Sequence, residues 1–380
     1  MKILHTADLH LGRQFAGISL DDDQGEVVGQ IVQALKEHRA DVLVIAGDIY
    51  DRAAPPASAV RQFNAFLARV AQETSAAVVM IAGNHDSSDR ISAMSVMPDA
   101  RRALIRGAVS ANEKALVLQD EHGSVAFSAL PFSYEYAARE CFADETMSTP
   151  EDVLSAQVAA ARRNVPKDAR WIVVAHAFVA GGTAGESERP LARVGGVETV
   201  SPEIFAGAHY VALGHLHRPQ AVGVPHIRYS GSPLAFGFDE AGAPKSMSLV
   251  DIDGTGHVTI EEIAFRPLRG VRSLKGKHAE LLLAEPSADF IKVVLTDDVP
   301  VIDAMKRLRV LFPNACELRY ERDRRAPEIK ALGQGRTIVV DPLDVIGDFL
   351  AFVREDAMSE NERTIVTGVL DDLRRGEELA

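Results

Sequence analysis

Four short apolar runs set the frame of this chain: residues 42–46 (VLVIA), 77–82 (AVVMIA), 171–175 (WIVVA) and 210–213 (YVAL). Each is rich in valine or other strand formers and lacks polar alternation, as strands buried on both faces do. Helical patterns flank the first two. Val27, Val28, Ile31 and Leu35 recur at helical spacing before residue 42, behind Asp21–Asp23, whose charge suits a helix start. Val60, Phe63, Phe66, Leu67 and Val70 mark one face of a second helix between the runs. Strands alternating with helices predict an α/β domain with a largely buried sheet. Open α/β sheets gather their ligands at the carboxyl ends of the strands.

The residues at those ends are therefore the ones to inspect. KILHTA is followed by Asp8 and His10, VLVIAG by Asp48, and VVMIAG by Asn84, His85 and Asp86. WIVVA is followed by His176, and VALG by His215 and His217. Residues two apart on an extended segment point the same way, so Asp8 reaches with His10 and His215 with His217. Gly47, Gly83 and Gly214 let the backbone turn and approach closely. Taken singly, His176 reads as a structural histidine, Asp8 as a cap and Asp48 as an Asx turn. Agreement across the strand ends points instead to a metal centre. The donors exceed what one ion uses, whereas two ions about 3.5–4 Å apart with a bridging carboxylate would use them. Imidazole mixed with oxygen donors suits Mn²⁺ or Fe²⁺, allows Zn²⁺, and suits Mg²⁺ less.

Composition narrows the partners. The net charge of −13 argues against a broad basic surface for nucleic acid. It leaves room for a polyanionic substrate, because bound cations can dominate a site and a partner subunit can supply basic surface. Cys141 and Cys316 form no CxxC, which excludes a thiolate zinc site. No apolar run approaches the ~20 residues of a membrane span. The N-terminus lacks a secretory pattern, so a chain starting at Met1 in the cytoplasm is expected.

Residues 115–130 and 226–263 contain strand–turn–strand patterns and predict a second, more antiparallel sheet packed on the first. Composition shifts at RPLRGVRSLKGK (266–277). Beyond it, an apolar stretch at 279–284, a strand at 290–295, a helix through Val301, Met305 and Leu308, and a strand near 316–320 predict a small β/α module. RDRRAPEIKALGQG reads as a linker, and helical patterns follow at 341–355 and 360–375. The expected division is 1–265, 266–325, a linker at 326–340, and a helical segment at 341–380.

DLH (8–10), GDIYD (47–51), GNHD (83–86), the AH at 175–176 and GHLH (214–217) together resemble the signature of the calcineurin-like metallophosphoesterases, over residues 1–230. GDIYDRAAPP (47–56), AHAFVAGGTAGESER (175–189) and YSGSPLAFGFDE (229–240) further resemble the SbcD family of nuclease subunits, and this likeness covers nearly the whole chain. The resemblance implies a four-layer α/β/β/α sandwich with a small C-terminal α/β capping domain and terminal helices. It implies that Asp8, His10 and His217 hold one ion, that Asn84, His176 and His215 hold a second, and that Asp48 bridges them. His85 would contact the scissile phosphate, with Asp86 orienting it through the far ring nitrogen. Two divalent ions, Mn²⁺ foremost, would support 3′–5′ exonuclease action on double-stranded DNA and endonuclease action on single strands. The family also implies an SbcC-type coiled-coil ATPase partner, a homodimer within a heterotetramer, and work in DNA repair, recombination and replication.

Some readings stay open. The polar loop FVAGGTAGESERP is either a plain surface loop or a segment bordering the metals and touching DNA or the partner. The terminal helices either dock on the partner's coiled coil, with 266–325 positioning DNA, or close the chain's own core. The same metal site would also serve a stand-alone enzyme for small phosphodiesters or nucleotides, or a scaffold that has lost catalysis, although a scaffold would be expected to lack ligands. His5, His38, His122, His209, His226, His257 and His278 fall outside the motifs and read as structural or exposed.

Overall fold

The computed structural model describes residues 1–95, 102–188, 192–193, 196–197, 199–321, 343, 346–347, 350, 354 and 358–377. They fall into two units, Met1–Asp323 and Arg324–Ala380. In chain order the first unit contains β1 (Lys2–Thr6), α1 (Asp21–His38), β2 (Val42–Ala46), α2 (Ala57–Glu73), β3 (Ala77–Ile81), α3 (Ser88–Ala93) and β4 (Ala103–Arg106). There follow β5 (Leu116–Asp120), β6 (Gly123–Leu130), α4 (Glu135–Phe142), α5 (Pro150–Arg162), β7 (Arg170–His176), β8 (Tyr210–Gly214), β9 (Gln220–Val222) and β10 (Val224–Tyr229). The unit ends with β11 (Ser246–Ile252), β12 (Val258–Ala264), β13 (Val271–Gly276), α6 (His278–Leu281), β14 (Phe290–Leu295), α7 (Ala304–Leu308) and β15 (Ala315–Tyr320).

The molecule is built on two six-stranded sheets. The first runs β12-β11-β1-β2-β3-β4 and the second β9-β10-β8-β7-β6-β5. The alternation within each strand decides what the sheets touch. Leu4, Leu43, Ile45 and Met80 turn outward onto Val27, Ile31, Leu35, Phe63 and Phe66 of α1 and α2. Their neighbours Ile3, Val42, Val44 and Val79 turn inward onto Val125, Phe127, Ile172, Val174 and Ala212 of the other sheet. The outer face of the second sheet, with Trp171, Val173 and Val211, packs on Leu154, Val158 and Ala161 of α5. The result is an α/β/β/α sandwich, which explains why the central strands read as unbroken apolar runs.

The hairpins distribute differently from the sequence expectation of one buried sheet and a separate antiparallel one. β11–β12 extends the first sheet, pairing antiparallel with β1 (Leu4 opposite Leu249). β5–β6 extends the second, β6 running parallel to β7 (Phe127 opposite Ile172). β7 and β8 also belong to the second sheet rather than joining β2 and β3. Alternation identifies a hairpin but does not say which sheet edge it will join.

Residues 271–320 make a parallel three-stranded sheet, β13-β14-β15. It has its own core of Leu281, Ile291, Val293, Leu308 and Phe312. In the second unit, α8 spans Glu360–Glu377. The expected linker at 326–340 lies outside the described residues, as do Phe349 and Val353 of the expected helix at 341–355. No helix among the described residues is long and apolar enough to cross a membrane.

Candidate metal centre

The carboxyl ends of strands from both sheets meet at one place. From the first sheet, β1 leads to Asp8 and His10, β2 to Asp48, and β3 to Asn84 and His85; from the second, β7 supplies His176 and β8 leads to His215 and His217. The β1–β2 pairing persists beyond the strands: Asp8 N donates to Gly47 O at 3.1 Å and His10 N to Asp48 O at 3.0 Å. This holds two of the loops at fixed separation. Gly47, at φ +90°, stands so close to His176 that a Cβ there would lie 2.4 Å from the ring Nδ1.

The side chains converge in two groups joined by Asp48. Nε2 of His10 faces Nε2 of His217 at 3.2 Å, and ligand atoms of Asp8, His10 and His217 all lie within 4.8 Å of one another. On the other side, Asn84 Oδ1 stands 2.9 Å from His176 Nε2 and 3.1 Å from His215 Nδ1. Asp48 Oδ2 lies between, 3.7 Å from His10 Nε2 and 3.6 Å from His176 Nε2. Imidazole lone pairs and carboxylate oxygens closing on common points, nearly all out of reach of water, fit divalent cations. His176 Nδ1 bonds to Ala46 O at 2.9 Å, which turns Nε2, beside Asn84 Oδ1, into the centre.

His85 is brought to the rim of this cluster, its ring 4.7 Å from that of His10. Its Nδ1 bonds to the Asp51 carbonyl at 2.8 Å, so Nε2 is the nitrogen presented to the centre. Asp86 does not take the orienting position expected for it. Its carboxylate accepts instead from the backbone N–H groups of Ile49, Tyr50 and Gly83, at 3.1, 2.9 and 2.9 Å. Tight turns after β2 and β3 leave these three donors without strand partners, and a carboxylate at this position satisfies all of them. Asp86 thus clamps the two loops that carry Asp48 and Asn84.

The chain is similar to known proteins over most of its length. Residues 1–219 match the family model described as calcineurin-like phosphoesterase. Residues 265–354 match a model described as type 5 capsule protein repressor C-terminal domain. The chain is 33% identical over 322 residues to the SbcD subunit of the nuclease SbcCD from Staphylococcus saprophyticus, covering 84% of each protein. The chain belongs to the SbcD family of calcineurin-like phosphoesterases. Membership in the SbcD family makes it a metal-dependent phosphodiester hydrolase with a divalent-metal site. A crystal structure of TT1561 from Thermus thermophilus aligns with 14% identity and a TM-score of 0.39, covering 69% of this chain and 98% of that one.

Burial governs the electrostatics of this SbcD-family centre. Desolvation, aided by the crowding of His217 and His85, holds His10 well below the usual histidine range. Burial does the same to His215, with His176 beside it, and lowers His176. These imidazoles are neutral, the form that binds a metal. Burial and the neighbouring Asp48 carboxylate push Asp8 upward, and push Asp86 up to about 7 against three backbone donors. A cation placed among these carboxylates would relieve that repulsion.

A supporting layer went unread in the sequence although its residues sit inside quoted motifs. Glu188 Oε1 accepts from His217 N at 2.7 Å. Ser187 Oγ lies 3.1 Å from His217 Nδ1 and donates to Glu240 Oε1 at 2.6 Å. Burial would raise Glu240, but His217 and Lys245 hold it well below the carboxylate range. The described part of the loop FVAGGTAGESERP, up to Glu188, therefore borders the centre. Local pattern carries no signal for such long-range contacts.

Proposed function

We propose that this chain is a Mn²⁺-dependent DNA nuclease, acting in the cytoplasm as an exonuclease from 3′ ends of duplexes and an endonuclease on single strands. In this reading it works as a homodimer with an SbcC-type coiled-coil ATPase, in repair, recombination and replication. The observation that carries the reading is the double convergence on Asp48, with Asp8, His10 and His217 on one side and Asn84, His176 and His215 on the other. These residues would hold two divalent ions, with Asp48 between them. A pair of this kind polarises a phosphate oxygen and lowers the pKa of water when bound. With its ring held by the Asp51 carbonyl, His85 would present Nε2 to the phosphate and stabilise the developing charge or protonate the leaving oxygen.

The Staphylococcus relative, named as part of the nuclease SbcCD, supports the partner assignment. So does α8, where Ile365 is 67% and Val369 54% exposed, an apolar face suited to a helical partner. The 266–325 segment would help position DNA, and 341–380 would bind the ATPase.

The test pairs two substrates. Purified protein with Mn²⁺ is given linear duplex DNA, with and without an SbcC-type partner and ATP, and separately bis-p-nitrophenyl phosphate. Cleavage of DNA is expected. Hydrolysis of the small ester with DNA untouched in every setting would replace the nuclease reading with a small-phosphodiester hydrolase. Asp48→Ala should lose metal and hydrolysis together, whereas His85→Ala should lose roughly 10²–10⁴ in rate yet keep its manganese by calorimetry.

A further inference from the structure

Beside the metal centre the chain carries a group of three aromatic rings, one half-buried and two exposed. Tyr134 is 47% exposed and Tyr136 70%. Their rings lie nearly parallel, 5.7 Å between centroids and 12° between planes. Phe132 stands edge-on to Tyr134, at 5.0 Å and 85°. Stacking covers part of each ring, and the pair still presents a large aromatic surface to water.

Their position relative to the chemistry is fixed. Phe132 N donates to Ala82 O at 3.0 Å, pinning this loop to the end of β3 two residues before Asn84. All three rings line a cavity of about 270 Å³ whose wall also includes Asn84, Ser87 and Gly107. Asn84 is thus shared: its Oδ1 faces His176 and His215 while the residue borders the aromatic cavity. The volume lies just under the ~300–1,000 Å³ of small-molecule pockets and suits one planar group. Among the described residues no Lys or Arg lines the cavity and Asp86 does, a lining that does not favour a phosphate.

We propose that Tyr134 and Tyr136, braced by Phe132, form a stacking platform for an unpaired base next to the scissile phosphate. The inference rests on the nuclease reading above and adds a substrate preference to it. Aromatic rings accept any base through its π-face, so such a subsite is indifferent to sequence. It takes a base whose face is open, at an unpaired or frayed position, because a base inside a duplex has both faces covered by its stacked neighbours. The platform therefore favours single strands and frayed ends over intact duplex.

The test compares strands that differ only in bases. Oligonucleotides that are intact, or abasic at the nucleotides flanking the cleaved bond, are digested by wild type, by a Tyr134→Ala/Tyr136→Ala variant and by a Tyr134→Phe/Tyr136→Phe variant. Wild type should show a KM lower for the intact strand by roughly tenfold. The alanine pair should lose this preference, and the phenylalanine pair, which keeps the ring faces, should retain it. A wild type indifferent to base removal overturns the platform. So does an alanine pair that keeps the preference, or a phenylalanine pair that loses it equally. A wild type that hydrolyses a small ester but cuts neither strand overturns the nuclease reading itself.

Discussion

At the scale of single residues, the centre is held in conformations that the backbone resists. Asp8, His10, Asp48 and His215 all have positive φ, at 53°, 44°, 48° and 109°. For histidine this is costly, and such strain persists only where the surroundings over-determine it. Here the surroundings include close backbone approach. A Cβ added to Gly83 would lie 2.2 Å from Asp48 Oδ1 and 2.4 Å from Asp48 N. Gly83→Ala must therefore push the shared carboxylate aside. We expect manganese affinity to fall about 10–100-fold by calorimetry, as when a ligand's support is lost, and the thermal midpoint to fall as well, because the backbone at Asp48 must also move. Unchanged affinity would mean that Asp48 can shift without losing its role. The identities of the converging residues were legible because each follows an apolar run. Their φ angles were not, since nothing in DLH or GHLH marks a strained histidine. Nor was the partner of Asp86, because three backbone donors freed by two different turns have no trace in the local pattern.

At the scale of elements, the central strands and the helices α1 and α2 were legible because burial and period speak plainly there. β13 was missed: VRSLKG carries three polar residues in six and read only as a change in composition, yet it pairs with β14 throughout. The seam between the sheets hides another feature. His5 on β1 points at the second sheet and meets Tyr210 OH of β8 at 2.8 Å. Burial, with the charge of Arg228 nearby, pushes His5 down to about 3. The unfolded chain, with a normal histidine near 6.5, then holds an extra proton between about pH 6.5 and about pH 3. Stability is lost as pH falls through that window, by about 2 kcal/mol from this group at pH 5. Urea unfolding of wild type and His5→Gln at pH 7.5 and pH 5 measures it. The variant should show the shallower dependence on pH, whatever its stability at pH 7.5. Parallel dependences would show that His5 takes no part.

At the scale of the whole chain, the sequence marked the segment after residue 265 as distinct, but not what joins it to the sandwich. The junction is polar and aromatic at once. Arg269 Nε bonds both oxygens of Asp23, at 3.2 and 3.0 Å, and its Nη2 donates to Ser19 O at 2.8 Å. The guanidinium lies over the Phe290 ring at 4.6 Å, and Phe290 stacks on Phe15 at 4.6 Å. Asp23 belongs to α1, Phe290 to β14, so one arginine ties the first helix of the sandwich to the central strand of the small sheet. Asp21–Asp23 were read as charges favouring a helix start, and Asp23 is in addition buried, at 1% exposure. Arg269→Ala would leave that carboxylate without its cation, a loss of about 3 kcal/mol where a buried pair is broken from one side. Arg269→Lys should recover only part, because an ammonium cannot bind both oxygens in a planar fork or lie flat on the ring. Urea unfolding should therefore rank wild type above Lys above Ala. A lysine variant equal to wild type would show that charge alone makes the junction, and an alanine variant equal to wild type would show that the Phe15–Phe290 stack suffices without it.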